Sequence, residues 1–317
     1  MRKWRNKLKG IKLSPFGFFE GNERNEKKNI NWASIAFIGP HMVLFIIFVC
    51  IPTLYGVYAS FTQWNLISDP VWIGLNNYKT LLFDSSSTFY TQFWNGLKNI
   101  FIFVLIMVPL QIIIPLMIAA ALQHKKVKMK GLFQAILYIP GLISVSAGSL
   151  IWSLIFHSRL GAVNNIFGYD FSWASKQPYA WILIFVVSIW GAIGGNMIIY
   201  RSALAGVNED LYEAAEIDGA GPVQKFFNVT LPSIRFPLLY TIVMTTAGAF
   251  NVFAQPLMMT GGGPNRSTTV LMMYIRSLAF SQGESIAGMA SAMAVILGLI
   301  IMCVSVFQYF LLDKNNT

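Results

Sequence analysis

Residues Tyr212–Pro232 read YEAAEIDGAGPVQKFFNVTLP, and they set Glu213, Glu216 and Asp218 among glycines and a proline. Apolar runs lie on both sides of this acidic, turn-rich stretch. Of the 317 residues 55% are hydrophobic and only 11% charged, and the mean hydropathy is +0.57. A soluble domain carries about a quarter charged residues, so this chain is not solvated on all sides. A membrane span needs roughly 20 mostly apolar residues. Uncharged intervals of that length occur at Trp32–Trp64, Asn99–Gln123, Gly131–Ser158, Gln177–Tyr200, Phe236–Asn265 and Ser285–Leu312. The expected fold is therefore all-α: a polytopic membrane protein of about six transmembrane helices, with the quoted stretch between the fourth and the fifth.

The net charge of +10 invites a nucleic-acid reading, but the distribution of the charge argues otherwise. If six helices alternate, 17 of the 23 basic residues fall on one side: before Trp32, at Lys125–Lys130, around Arg201–Arg235, and at Lys314. The positive-inside bias then places both termini in the cytoplasm of a bacterial-type plasma membrane. The basic residues orient the chain and attract anionic lipid, and no nucleic-acid partner is expected. The expected organisation is a basic N-terminal segment (1–31), a transmembrane domain (32–312) with a cytoplasmic loop at 206–234, and a short tail (313–317). The N-terminal stretch does not read as a cleavable signal, because its basic region is long and the apolar run after it is span-length.

Most familiar site chemistry is missing. His41, His124 and His157 form no metal-ligand pair at helical spacing, and Cys50 and Cys303 read as small apolar fillers within spans. No nucleophile or zinc-protease motif occurs, so no catalytic residue and no metal site is expected. The loop TGGGPNRST (Thr260–Thr268) lacks the lysine of a phosphate-binding loop. Every Asp and Glu lies in a terminus or a connection, whereas ion-coupled carriers usually embed ionisable groups in their spans.

The Arg201–Arg235 connection is longer than a turn requires. Asn208 can cap a short helix with Glu209 and Asp210 in its first turn. Gly219 permits a turn that other residues would strain. Pro222 suits the first position of a second helix, which Leu231–Pro232 is expected to stop. Tyr212, Phe226 and Phe227 read as apolar knobs. Five acids face two bases before Arg235, which favours a protein-docking surface over a linker lying in the headgroups.

At these residues the chain resembles the permease subunits of binding-protein-dependent ABC importers. Their signature is Glu-Ala-Ala, three residues, Gly, nine residues, Ile-x-Leu-Pro. Here it stands as Glu213-Ala214-Ala215, Gly219 and Val229-Thr230-Leu231-Pro232, with Val for Ile. The stretches SFTQWN (Ser60–Asn65), IGLNNYKTLL (Ile73–Leu82), LFQAILYIP (Leu132–Pro140), IWSLIF (Ile151–Phe156) and TGGGP (Thr260–Pro264) are similar to the carbohydrate-uptake subfamily, of the maltose and glycerol-phosphate type. The resemblance implies half of a heterodimeric pore for a sugar or oligosaccharide. It implies a second related permease, two cytoplasmic ATPase subunits that hold ATP and Mg, and an extracytoplasmic sugar-binding protein. The chain itself would be no enzyme and bind no cofactor. Glu213, Ala214, Ala215, Gly219, Leu231 and Pro232 would form the coupling helix region that docks on the ATPase.

Sugar recognition combines hydroxyl hydrogen bonds with aromatic packing, and Trp190, Asn196, Phe250, Asn251 and Gln255 lie well inside the spans. An unpaired amide in a membrane is costly, so Asn196 and Asn251 either contact substrate or bond between helices. The chain has Asn251 and Ala254 where the family often has Lys and Asp. Two other classes remain for comparison: an ion-coupled secondary carrier, and a membrane scaffold that docks a cytosolic protein.

Overall fold

The computed structural model describes residues 32–123, 127–280 and 286–313. The basic segment 1–31, residues 124–126 of the basic hairpin, Ser285 at the start of the sixth interval and the tail 314–317 lie outside the described residues. The chain divides into two compact units, residues 1–54 and 55–317.

In the first unit, α1 (Trp32–Phe45) passes into a π-helical turn at Ile46–Cys50, after which α2 (Ile51–Ala59) begins. The cause is Pro52, whose ring clashes with the carbonyl four residues back in a regular helix. The Ile51 amide instead donates to the Ile46 carbonyl, five residues back, and the widened turn accommodates the ring. Large apolar side chains cover this unit from Phe37 (87% exposed) to Leu54, and most of them are exposed among the described residues. Such a continuous surface suits hydrocarbon rather than water.

The second unit opens with a two-stranded antiparallel hairpin, β1 (Thr62–Gln63) and β2 (Val71–Trp72), in which Thr62 faces Trp72. There follow α3 (Asn76–Phe83), α4 (Thr88–Gln123), α5 (Lys130–Tyr138), α6 (Val145–Ile155), α7 (Ala162–Phe167) and α8 (Tyr179–Ala205). After these come α9 (Glu209–Ile217), α10 (Pro222–Lys225), α11 (Leu231–Ser233), α12 (Arg235–Phe250), α13 (Ala254–Thr260), α14 (Leu271–Phe280) and α15 (Ala287–Asp313). Among the described residues, four helical runs are long and apolar enough to cross a membrane: Ala36–Ala59, Thr88–Gln123, Tyr179–Ala205 and Ala287–Leu311. Two bent pairs raise the number to six if each counts as one span.

These bends correct the sequence reading at three places. The interval Gly131–Ser158 is not one helix: a 3-10 turn at Ile139–Leu142 follows α5, and the chain turns by 101° before α6. Pro140 lies in that turn, and Ser144 caps α6 by accepting the Ala147 amide at 3.3 Å. The interval Phe236–Asn265 is also broken, because α12 ends at Phe250 and α13 starts only at Ala254. Third, Leu231–Pro232 does not stop the helix that starts at Pro222. A π-helical turn at Phe226–Thr230 absorbs Pro232, with the Leu231 amide donating to the Phe226 carbonyl. The helical run continues to Ser233 and then bends by 76° into α12.

The centre of the second unit is the packing of α4 against α8. One cluster joins Phe103 and Met107 to Ile184 and Val187; a second joins Leu116 and Ala119 to Met197, Tyr200 and Ile234. Lipid tails are as apolar as leucine, so helices associate here through fit and hydrogen bonds. Tyr200 and Thr241 share a hydroxyl hydrogen bond of 2.6 Å, and Gln308 donates to Thr246 at 2.9 Å. Fit is close at Gly194, where a Cβ would lie 2.6 Å from the Tyr138 Cα and 2.8 Å from the Leu137 carbonyl oxygen. Replacing Gly194 by valine must therefore separate α8 from α5, at a cost of about 2 kcal/mol. The adjacent Gly195 has nothing within 4 Å of its Cβ position. Thermal unfolding in detergent should show a clear loss for Gly194→Val and little change for Gly195→Ala.

Candidate functional site

The break between α12 and α13 opens the middle of the protein. Asn251 ends α12, its amide Nδ2 donating to the Ala247 carbonyl at 2.8 Å, and Phe253 takes a non-helical conformation. Irregular backbone at membrane depth is tolerated where it lines a cavity. Here it borders one of about 480 Å³, bounded by α4, α8 and α12. A smaller cavity of about 230 Å³ adjoins it under the α5–α6 bend. The larger of the two has a size that suits a small-molecule site.

Among the candidates read from the sequence, Asn196, Asn251 and Gln255 line the larger cavity, and Gln255 with Trp190 lines the smaller. Trp190 meets Trp152 edge-on at 5.8 Å. Phe250 does not join them: it is 1% exposed and packs edge-on against Phe101. Asn196 bridges helices as well, donating to the Gln111 carbonyl at 2.9 Å and the Thr245 hydroxyl at 3.1 Å. The sequence reading passed over Gln111 and Ser188, which line both cavities. Ser188 is 5% exposed, and its hydroxyl has no partner among the described residues. Gln111 carried a usable signal, a lone amide in an apolar run. Serine gives none, because it is common in membrane helices. No charged residue lines either cavity among the described residues.

The second candidate site is the α9–α12 insert. The Asn208 side chain accepts the Asp210 amide at 3.1 Å, and Glu209 and Asp210 sit at the positive end of α9. The helix ends in a Schellman motif. Gly219 stands at φ +76°, its amide donates to the Glu216 carbonyl at 3.0 Å, and the Ala220 amide reaches the Ala215 carbonyl at 2.9 Å. The Gln224 side chain then returns to accept the Gly221 amide at 2.9 Å, starting α10. Two contacts bind the arms of the insert together: Tyr212 to Thr230 at 3.1 Å, and Lys225 to Glu216 at 2.6 Å. Glu213, Ala214, Gly219 and Pro232 are exposed, whereas Ala215 and Leu231 are half-buried.

The knobs are partly different from those expected. Tyr212 turns inward to its hydroxyl partner, and Phe226 packs on the second core cluster. Only Phe227 stands outside, 59% exposed, together with Ile217 (87%) and Val223 (69%). The insert thus presents apolar side chains beside Glu213, on a frame held by its own hydrogen bonds.

Residues 85–315 match the family described as binding-protein-dependent transport system inner membrane component. The chain belongs to this family. It is 32% identical over 280 residues to a probable ABC transporter permease protein, YurN, of Bacillus subtilis, covering 86% of this chain and 93% of that one. It is 33% identical to AmyD of Thermoanaerobacterium thermosulfurigenes, a probable starch degradation products transport system permease protein, over 88% and 94% of the two chains. The multiple sugar-binding transport system permease protein MsmF of Streptococcus mutans is 32% identical, over 90% and 97%. Among solved structures, a chain of a bacterial ABC transporter that imports the acidic polysaccharide alginate superposes with a TM-score of 0.69 at 22% identity, covering 90% of this chain and 96% of that one. A second alginate transporter structure, in complex with a periplasmic protein bound to an alginate pentasaccharide, gives 0.71 at 23% identity, over 87% and 92%. Identities this low speak for the fold alone.

Family membership decides among the classes weighed from the sequence: the permease is an inner-membrane transport component and not itself a catalyst. Within it, the stretch with the family-like signature contains a turn whose geometry requires glycine. Alanine at position 219 would hold the left-handed conformation at a cost of about 1–2 kcal/mol. Gly219→Ala should therefore speed hydrogen exchange at the Ala220 amide roughly tenfold, with amides in α8 unchanged.

Proposed function

We propose that this permease forms half of the pore of an ATP-driven importer for a neutral oligosaccharide. One observation carries the substrate class: the central cavity is lined by the amides and hydroxyls of Gln111, Ser188, Asn196, Thr245, Asn251 and Gln255, with no charge among the described residues. Amides and hydroxyls both donate and accept, as a sugar's hydroxyl groups do. An anionic solute would call for basic groups there. Permease relatives named for starch degradation products, arabinooligosaccharides and lactose point to the same class, whereas one named for sulfoquinovosyl glycerol carries an anionic solute.

In this reading each bent pair is one span, which gives six, with both termini and the insert in the cytoplasm. Of two ATPase subunits that hold ATP and Mg, one docks on the insert through Glu213, Ala214, Ala215 and Gly219, with Ile217, Val223 and Phe227 as the insert's apolar contacts. Leu231 and Pro232 belong to the helical run that joins this surface to α12. A second, related permease completes the pore, and an extracytoplasmic sugar-binding protein delivers the solute. The covalent path from insert to cavity is short. The run Pro222–Ser233 ends at Ile234, which is fully buried in the second core cluster. There α12 begins, and along it Thr245, Gly248 and Asn251 reach the cavity wall. Closure of the ATPase pair moves the insert, Ile234 serves as the pivot, and α12 re-angles the cavity from one side of the membrane to the other.

Transport and sugar-stimulated ATP hydrolysis by the reconstituted complex test both halves of the proposal. Glu213→Arg should abolish stimulated hydrolysis while the permease still inserts and melts normally; full retention would remove Glu213 from the docking surface. Asn251→Ala and Gln111→Ala should raise the KM for import about tenfold, the loss of one or two hydrogen bonds, with basal ATP hydrolysis unchanged. Failure of the wild-type complex to import any neutral saccharide would overturn the substrate class.

A further inference from the structure

A second polar cavity, of about 710 Å³, lies at the opposite end of α4 from the insert, between the β1–β2 hairpin, α3 and the start of α15. Phe89 borders it and Gln111 borders the central cavity. At 1.5 Å per residue these positions are roughly 33 Å apart along the helix, so the two cavities are separate sites.

The frame around this cavity is fixed. Asn77, buried, donates to the Ser60 and Thr62 carbonyls at 2.9 Å each. The Trp64 carbonyl accepts the Ala287 amide at 2.9 Å where α15 begins. Gly288 lies so close to the hairpin that a Cβ would overlap the Thr62 carbonyl oxygen. The Trp64 indole is held by its own donation to the Ser68 carbonyl at 2.8 Å and by an edge-on contact with Tyr55. Against this frame four lining side chains make no hydrogen bond or ion pair among the described residues: the Gln63 and Asn76 amides, the Asp69 carboxylate and the Thr80 hydroxyl. Ile286 and Met289 add apolar surface.

We propose that this cavity is a subsite for a neutral saccharide unit. An indole packs on the weakly apolar C–H face of a sugar ring. A carboxylate accepts from neighbouring hydroxyls, while amides donate and accept, so these four side chains match hydroxyl chemistry. The charge of Asp69 selects against uronates. A calcium-type cation needs more oxygen charge than one carboxylate supplies, and no group of three His, Cys, Asp or Glu occurs among the described residues. The inference rests on the reading of the chain as a saccharide permease, to which it adds a site of first contact away from the central cavity.

The test uses the complete transporter in nanodiscs without its binding protein, with maltotriose and arabinotriose as probes and saturation-transfer NMR as the readout. The background is Asn251→Ala/Gln255→Ala, which removes central-cavity contacts. At least one probe should still bind, and Asp69→Ala or Gln63→Ala should weaken that binding about tenfold with an unchanged melting temperature. Asp69→Asn serves as the second variant if alanine lowers stability. No residual binding in the background, or binding indifferent to positions 63 and 69, overturns the subsite. So does a loss of binding-protein-driven import with free-saccharide binding intact, which assigns these residues to protein docking. Import of a neutral saccharide by the wild-type complex is measured in parallel. If it proceeds, either negative result counts against the subsite alone; if it fails for every saccharide, the proposed function falls with it.

Discussion

Within hydrocarbon no water is available to a stranded amide or carbonyl, and several departures from regular helix in this permease are settled by a local exchange of partners, as is one in the insert. Pro52 and Pro232 each lie next to an amide that reaches five residues back instead of four, so the helix widens and continues. At Ser144 the hydroxyl takes an amide of the new helix, and at Asn251 the side chain takes a carbonyl of the old one. The chain bends by 101° and 76° and is interrupted between α12 and α13, with the exchanges at Ser144, Pro232 and Asn251 lying at or beside the breaks. The last of these departures borders the central cavity and the first adjoins it.

Helix α4 organises what surrounds these bends. Phe89 near its start, Gln111 in its second half and Gln123 at its end each border a different cavity, the last of about 880 Å³ beneath the insert. Its close packing with α8 holds the three in register. The two core clusters on this pair leave a polar gap between them, and Asn196 crosses that gap to the Gln111 carbonyl. Fit and polarity thus divide one helix pair into segments that hold and a segment that receives.

Much of this was legible in the sequence because it depends on local chemistry. The Asn208 cap, the acidic first turn of α9, the turn at Gly219 and the start at Pro222 follow from side-chain type and spacing, and the structure has each. The four long helices follow from uninterrupted hydropathy. The broken third and fifth intervals were not legible, because hydropathy sums over a window and does not register a change of direction at Ile143 or Asn251. Pro232 misled for a different reason: a proline stops a regular helix but not one that widens before it. In the central cavity, embedded amides could be found as costly exceptions in apolar runs. Ser188 could not, and Phe250 differs from a pore-lining aromatic only by its rotation about the helix axis, which packing decides.

Asn196 enters the cavity wall with both of its known bonds already made, to the Gln111 carbonyl and the Thr245 hydroxyl. A solute that takes a hydrogen bond from Nδ2 must displace a partner it already has, so that exchange is nearly even and its net gain is small. At this point the wall is complementary to hydroxyl groups and yet gains little by donating to them. For a conduit this sets a short dwell time, since a solute bound tightly enough to linger would throttle the flux of those behind it.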